Sequence, residues 1–249
     1  MVQLLVKHGA NVNAQGTLSG FALEAAAYGG HINVVEFLIE QGANIHAGSR
    51  HYRTSLHAAS QNGHIEITKL LIDCGADLNP QQTVESFPLQ VASHNGHAGI
   101  VKLLIDYGAQ VNARNAIGNT ALHAASWSRQ IDIVKLLIDH GAEVNVIGGE
   151  FGCSPLKVAS DSGYMDIVEC LITCGAEVNA KDRFGCTALH TASHCGDIDI
   201  AKLLIRHGAD VNATDEFGFT PLQDASDSGQ SDIVRLLIQY GFEVNVERV

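Results

Sequence analysis

Gly118 to Asn145, GNTALHAASWSRQIDIVKLLIDHGAEVN, decides the fold, because the rest of the chain is variations on it. It reads as a turn entry at Gly118 and Thr120, then a short helix from Leu122 to Trp127, then a loop. A second helix follows from Asp132 to Asp139, closed by Gly141-Ala142, with Val144-Asn145 as an extended exit. The same close stands at Gly9, Gly42, Gly75, Gly108, Gly141, Gly175, Gly208 and Gly241, spaced 33, 33, 33, 33, 34, 33 and 33 residues apart. A fixed period of this length marks stacked supersecondary units, none of which buries its apolar face alone.

Within a unit, Ile131, Val134, Leu137 and Ile138 recur at helical spacing. Gly-Ala ends the second helix, since glycine accepts the left-handed capping conformation. The Val-Asn exit runs into a hairpin projecting sideways. Threonine at the first-helix entry caps that helix, and the histidine after it is expected to bond the same turn.

The motif T-x-L-H-x-A is spelled by Thr54-Ser55-Leu56-His57-Ala58-Ala59, followed by Gly63-His64, and recurs at Thr120-Ala121-Leu122-His123 and Thr187-Ala188-Leu189-His190. With the apolar-Leu-Leu run and the Gly-Ala-x-Val-Asn close, these residues resemble the ankyrin repeat over essentially all 249 residues. The resemblance implies an all-α repeat solenoid, with ankyrin-like helix-turn-helix repeats, projecting β-hairpin loops and a period of 33. It implies a single domain over 1–249, with a partial repeat at 1–15 and repeats one to seven at 16–48, 49–81, 82–114, 115–147, 148–181, 182–214 and 215–247.

The copies alternate. Repeats two, four and six read TSLHAAS, TALHAAS and TALHTAS, whereas one, three, five and seven read FALEAAA, FPLQVAS, SPLKVAS and TPLQDAS. This points to growth by duplication of a two-repeat block. Repeat five has one extra residue in its hairpin, between Val146 and Cys153. Its glycines lack the strand-loop-helix context and the lysine of a phosphate cradle, so a lengthened tip is expected. In repeat four, Arg129 replaces the glycine of Gly30, Gly63, Gly96, Gly163, Gly196 and Gly229. A side chain in a left-handed cap costs about 1–2 kcal/mol, so either the turn differs there or the cost is tolerated.

Apolar residues make up 46% of the chain, enough for a continuous core, and no apolar run approaches the roughly 18 residues of a membrane span. Met1-Val2-Gln3-Leu4-Leu5-Val6-Lys7 matches Val134 to Asp139 rather than a signal peptide. The chain therefore reads as starting inside a second helix, and a piece of a longer protein is expected. The six cysteines follow no disulfide spacing, which suggests a reducing intracellular setting, cytoplasmic or nuclear. The net charge of −12 is lopsided: residues 1–125 hold 6 basic and 8 acidic side chains, and residues 126–249 hold 9 and 19. Nucleic-acid binding needs a basic stripe, and this is the reverse. A protein partner that is basic toward the C-terminal half fits better.

Thirteen histidines raise the question of a metal. His57, His123 and His190 occupy the structural T-x-L-H position. His8, His140 and His207 recur once per repeat, on helices roughly 8–10 Å apart, too far to share an ion that needs ligands at about 2.0–2.3 Å. Cys170 and Cys174 lie four apart, but Cys170 replaces a core leucine, seen as Leu136 and Leu70, so burial is its expected role. No metal and no cofactor are predicted. No nucleophile-base-orienter set appears; the best small-ligand or catalytic site would combine His94, Trp127 and Asp161.

In arrays that resemble this one, partners are held by hairpin tips and by the exposed face of the first helices. That stripe maps here onto Tyr28, Gln61, His94, Trp127, Asp161, His194 and Asp227, and the tips onto Leu18, His51, Val84, Ile117, Phe151, Phe184 and Phe217. Arg50, His51 and Arg53 make the N-terminal tips basic; Asp161, Asp215, Glu216, Asp224 and Asp227 make the C-terminal end acidic. Aromatic residues in such rows match interface hot-spot composition, although tip phenylalanines packing on the next hairpin is the alternative. The expectation is a monomeric, non-enzymatic protein-binding scaffold, the recognition arm of a larger protein. A groove enzyme or small-ligand binder and a structural spacer are the rivals.

Overall fold

Each repeat enters through a threonine, serine or phenylalanine in extended backbone (Phe21, Thr54, Phe87, Thr120, Ser154, Thr187 and Thr220) and then turns into a short helix. Such residues can leave the first helical amides to a side chain, and proline at Pro88, Pro155 and Pro221 opens its helix where no amide is needed. The structure, a computed structural model, describes residues 1–16, 20–49, 54–80 and 86–246. In chain order the helices are α1 (Val2–Lys7), α2 (Ala22–Tyr28), α3 (Ile32–Glu40), α4 (Ser55–Gln61), α5 (Ile65–Asp73), α6 (Pro88–His94), α7 (Ala98–Asp106) and α8 (Ala121–Trp127). They continue as α9 (Ile131–Asp139), α10 (Pro155–Asp161), α11 (Met165–Thr173), α12 (Ala188–Cys195), α13 (Ile198–Arg206), α14 (Pro221–Asp227) and α15 (Ser231–Val246). None of the described helices is long and apolar enough to cross a membrane.

The contacts divide the chain into two compact units, residues 1–128 and residues 129–249, parting between the two helices of repeat four. In unit 1 the first helices α2, α4, α6 and α8 pack in sequence, the second helices α3, α5 and α7 likewise, and α2, α4 and α6 each pack on their own second helix. Unit 2 repeats the scheme with α10, α12 and α14 against α9, α11, α13 and α15. Each unit is thus a two-layer all-α repeat stack, the solenoid arrangement expected. Leu23, Leu56, Leu89 and Leu122 line the seam in unit 1, with Ala27, Ala59, Ala92 and Ala125 wholly buried. Alanine leaves room for first helices to approach closely, and Leu156, Leu189, Ala159, Ala192 and Ala225 do the same in unit 2. The second helices bury a neighbouring pair and a leucine (Ile133, Val134 and Leu137 in α9), whereas Ile131 and Ile138 are half-buried.

The second helices end as expected. Gly42 donates to Ile39 O and Ala43 to Leu38 O, both at 2.9 Å, a double bond pattern that needs the left-handed glycine (φ 83°). The Val-Asn exit beyond this cap is a turn, where the sequence predicts an extended segment. Ala113 donates to Gln110 O, Ala180 to Glu177 O and Ala213 to Asp210 O, each at 3.1 Å. The Asn/Asp opening the turn bends the backbone onto itself, as where Asp77 Oδ1 takes the Asn79 amide at 2.9 Å. At the last close, α15 runs through Gly241 to Val246. The six buried cap alanines, from Ala43 to Ala209, are at most 9% exposed.

The projecting hairpins are shorter than expected. Strand pairing is confined, among the described residues, to β1 (Gln15–Gly16) with β2 (Gly20–Phe21) and to single bridges at Gly48–Thr54 and Gly148–Cys153. Elsewhere an Asx side chain closes the loop. Asp182 Oδ1 accepts the amides of Phe184 and Cys186, and Asp215 Oδ1 those of Phe217 and Phe219, at 2.8–2.9 Å.

Candidate partner-binding surface

The fourth residue of each T-x-L-H-type motif sets the first helices and loops in place. The Thr187 amide donates to His190 Nδ1 at 3.1 Å, while His190 Nε2 reaches Phe219 O of the next repeat at 3.2 Å. An amide can only donate and a carbonyl only accept, so the ring must be the Nε2–H tautomer. His57 makes the same pair of contacts, to Thr54 and to Ser86 O. The structural role read for these histidines is therefore what the structure contains. The degenerate repeats reach the same end by other chemistry. Gln90 takes the Phe87 amide and donates to Asn119 O at 2.7 Å, Ser49 donates to Glu24 at 3.0 Å, and Lys157 meets Asp182 at 3.2 Å with both side chains largely buried.

On this frame the first-helix stripe emerges. In unit 1 Tyr28, Gln61, His94 and Trp127 are the last residues of α2, α4, α6 and α8. Tyr28 and Trp127 are 57% and 55% exposed, so large aromatic surface faces solvent from rigid helix ends. The backbone of Tyr28 and of Gln61 is pinned from the next repeat: His64 Nε2 bonds Tyr28 O at 3.1 Å and His97 Nε2 bonds Gln61 O at 3.0 Å. In unit 2 Asp161, His194 and Asp227 are exposed at the ends of α10, α12 and α14. His94 and His194 repeat one contact, Nδ1 to Ser128 Oγ at 2.5 Å and to Ser228 Oγ at 2.8 Å. Of the trio considered for a small-ligand site, His94 and Trp127 lie in unit 1 and Asp161 in unit 2.

The tips are likewise placed by unit. Ile117 in unit 1 is 49% exposed; in unit 2 Phe151, Phe184 and Phe217 are 56%, 44% and 75% exposed. The phenylalanine row is partly packed and partly exposed. Phe151 and Phe184 rings pack with centroids 5.9 Å apart, yet each keeps about half its surface in water. Backbone bonds stitch the tips together, Arg183 N to Phe151 O at 2.9 Å and Glu216 N to Phe184 O at 2.8 Å. Leu18, Arg50, His51, Arg53 and Val84 lie outside the described residues. Sequence reasoning missed the Asx residues that present the tips, Asn115, Asp182 and Asp215. Their signal was available as Asn/Asp-x-Ile/Phe-Gly at 115–118, 182–185 and 215–218.

Arg129 does adopt the left-handed conformation (φ 57°), the only described non-glycine residue to do so. At Gly30 and Gly63 a β-carbon would meet the ring of His64 or His97 at under 3 Å. Behind Arg129 the next repeat supplies Tyr164 instead, and the guanidinium lies 5.6 Å from that ring's centre. Such stacking is worth about 0.5–1 kcal/mol, which offsets part of the backbone cost.

All six cysteines are free. Burial pushes the Cys186 thiol up to about 11, with Asp182 adding to the effect, and burial also raises Cys153, Cys170 and Cys195. A thiolate nucleophile needs the opposite shift. Cys170 is half-buried, as Leu136 and Leu70 are, rather than core. Among the described residues no three His, Cys, Asp or Glu side chains come together as a metal site. Burial raises the Asp224 carboxyl; Asp215 and Asp227 push it further up, and His190 and His194 oppose them.

A family model described as ankyrin repeats matches residues 1–82, 56–147 and 156–248. No curated protein matches the chain.

Proposed function

The chain belongs to the ankyrin-repeat family, and from that premise we propose that it is a non-enzymatic scaffold holding a protein partner along its first-helix stripe and loop tips. Ankyrin repeats serve generally as protein–protein interaction modules. The observation that carries the proposal is Trp127. A tryptophan more than half exposed, at the end of a helix packed on α6, has no role in the core. Rigid exposed aromatics of this kind concentrate binding energy because little entropy is lost when they are covered.

Tyr28, His94, Trp127 and Ile117 form the contact set in unit 1, with His51 and Arg53 completing it. Asp161, His194, Asp227, Phe151, Phe184 and Phe217 form it in unit 2. The partner runs from acidic, opposite the basic N-terminal tips, to basic, opposite the acidic C-terminal half. We place the scaffold inside the cell, in cytoplasm or nucleus, as a monomeric recognition arm of a larger protein; its six free cysteines support a reducing compartment.

Capture from a lysate by the wild-type chain and by Trp127→Ala, matched for thermal midpoint, tests this. A protein held by the wild type and lost from the variant is the expected result. Unchanged capture would move the contact away from the stripe, and no capture by either would leave a structural spacer as the better reading.

A further inference from the structure

The charges of unit 2 fall on both of its helix layers. On its outer layer cations and anions pair within one helix, Lys202 with Asp199 at 3.9 Å and Arg235 with Asp232 at 3.7 Å. On the layer of first helices and loops Lys157 is held by buried Asp182, Arg129 lies over Tyr164 and Lys181 donates to Thr214 O at 2.8 Å, while Arg183 is exposed at the tip beside Phe184. Asp161 on α10 and Asp224 and Asp227 on α14 have no ion-pair partner among the described residues. Beside them the loops leading into α12 and α14 present Phe184 and Phe217 to water.

We propose that unit 2 takes an extended cationic segment of the partner protein, one Arg or Lys seated at Asp161 and a second about six residues along seated at Asp224 and Asp227. The proposal rests on the chain being a protein-binding scaffold. The spacing follows from the stack. Helix α12 packs between α10 and α14, so two helix steps of roughly 8–10 Å separate the acids. An extended chain advances about 3.3 Å per residue, and a polyproline-type chain about 3.1 Å, so five or six residues span the gap. Strand side chains return to the same face at even separations, and polyproline side chains at every third residue. Six satisfies both. Apolar residues between the two cations turn toward Phe184 and Phe217.

Two cations also answer a local imbalance. The Asp224 carboxyl is held up by its burial and by Asp215 and Asp227, against His190 and His194. A bound cation favours the charged carboxylate, so binding expels the proton that Asp224 holds at acid pH. Affinity is then full above the raised range of that carboxyl and falls as the pH drops through it.

The test is fluorescence anisotropy on the full chain with labelled peptides of one composition, carrying two arginines at i and i+6 or at i and i+3, and a third with glutamates at i and i+6. The i, i+6 arginine peptide should bind tightest and the glutamate peptide not at all. Asp161→Asn and Asp227→Asn should each weaken it roughly two- to fivefold, and Lys202→Gln, on the outer layer, should leave it unchanged. Asp161→Lys should bind the arginine peptide poorly and gain affinity for one with glutamate at i and arginine at i+6. Equal binding at both spacings, or Asn variants that bind like the wild type, would overturn the inference. If no peptide binds while Trp127→Ala still loses a captured protein, the inference falls and the scaffold stands; if capture fails too, both fall.

Discussion

At the scale of the residue, one position carries the joints between repeats, and it tolerates changes of chemistry that its geometry explains. His57, Gln90, Lys157 and His190 differ in charge and shape, yet each reaches forward to the loop of the next repeat. The alternation of T-x-L-H with degenerate copies is therefore two ways of making the same link. This yields a prediction. His190→Ala leaves the buried Thr187 amide without a partner, at a cost of about 1–3 kcal/mol, and leaves the Phe219 carbonyl with the Asp215 amide alone. His190→Gln can copy Gln90 and should lose less than half as much, as urea denaturation midpoints will read. Equal losses would mean that the ring's packing, and not its two hydrogen bonds, matters.

At the scale of the element, the loops are held by side chain and by glycine more than by strand pairing. Asp182 gathers the amides of its own tip, and Gly185 lets the following loop close on it. A β-carbon on Gly185 would stand 2.9 Å from Glu216 N, the amide that bonds Phe184 O. Gly208 has a similar backbone (φ 85°), but a β-carbon there meets nothing within 4 Å. Gly208→Ala should therefore cost only the conformational penalty, about 1–2 kcal/mol, and Gly185→Ala more, with a visible change in the Phe217 tip. Chemical denaturation of the two variants, with tip chemical shifts by NMR, checks the order. The reverse ranking would show that the tip ladder contributes nothing.

At the scale of the molecule, contacts link each repeat to its neighbours within a unit, so a local defect should stay local. Amide exchange in His190→Ala is expected to speed up in α12 and α14 and to remain as in the wild type in α2 and α3. Uniform loss of protection would mean that the chain opens as one body. The period of 33, the two helices per repeat and the glycine caps up to Gly208 were legible in the sequence, as was the exposure of Tyr28, Trp127, Ile117, Phe151, Phe184 and Phe217, because each depends on local backbone preference and on apolar spacing along one helix. The turn after the caps and the scarcity of strand pairing among the described residues were not, because Asx closure and pairing compete over a few residues with similar energies. Nor were the equivalence of Glu24, Gln90 and Lys157 as forward links, the Tyr164 that accommodates Arg129, or the ion pairing that engages Lys157 and leaves Asp161, Asp224 and Asp227 without a partner cation. Those depend on which residues of adjacent repeats come to face each other, which is decided only when the helices stack.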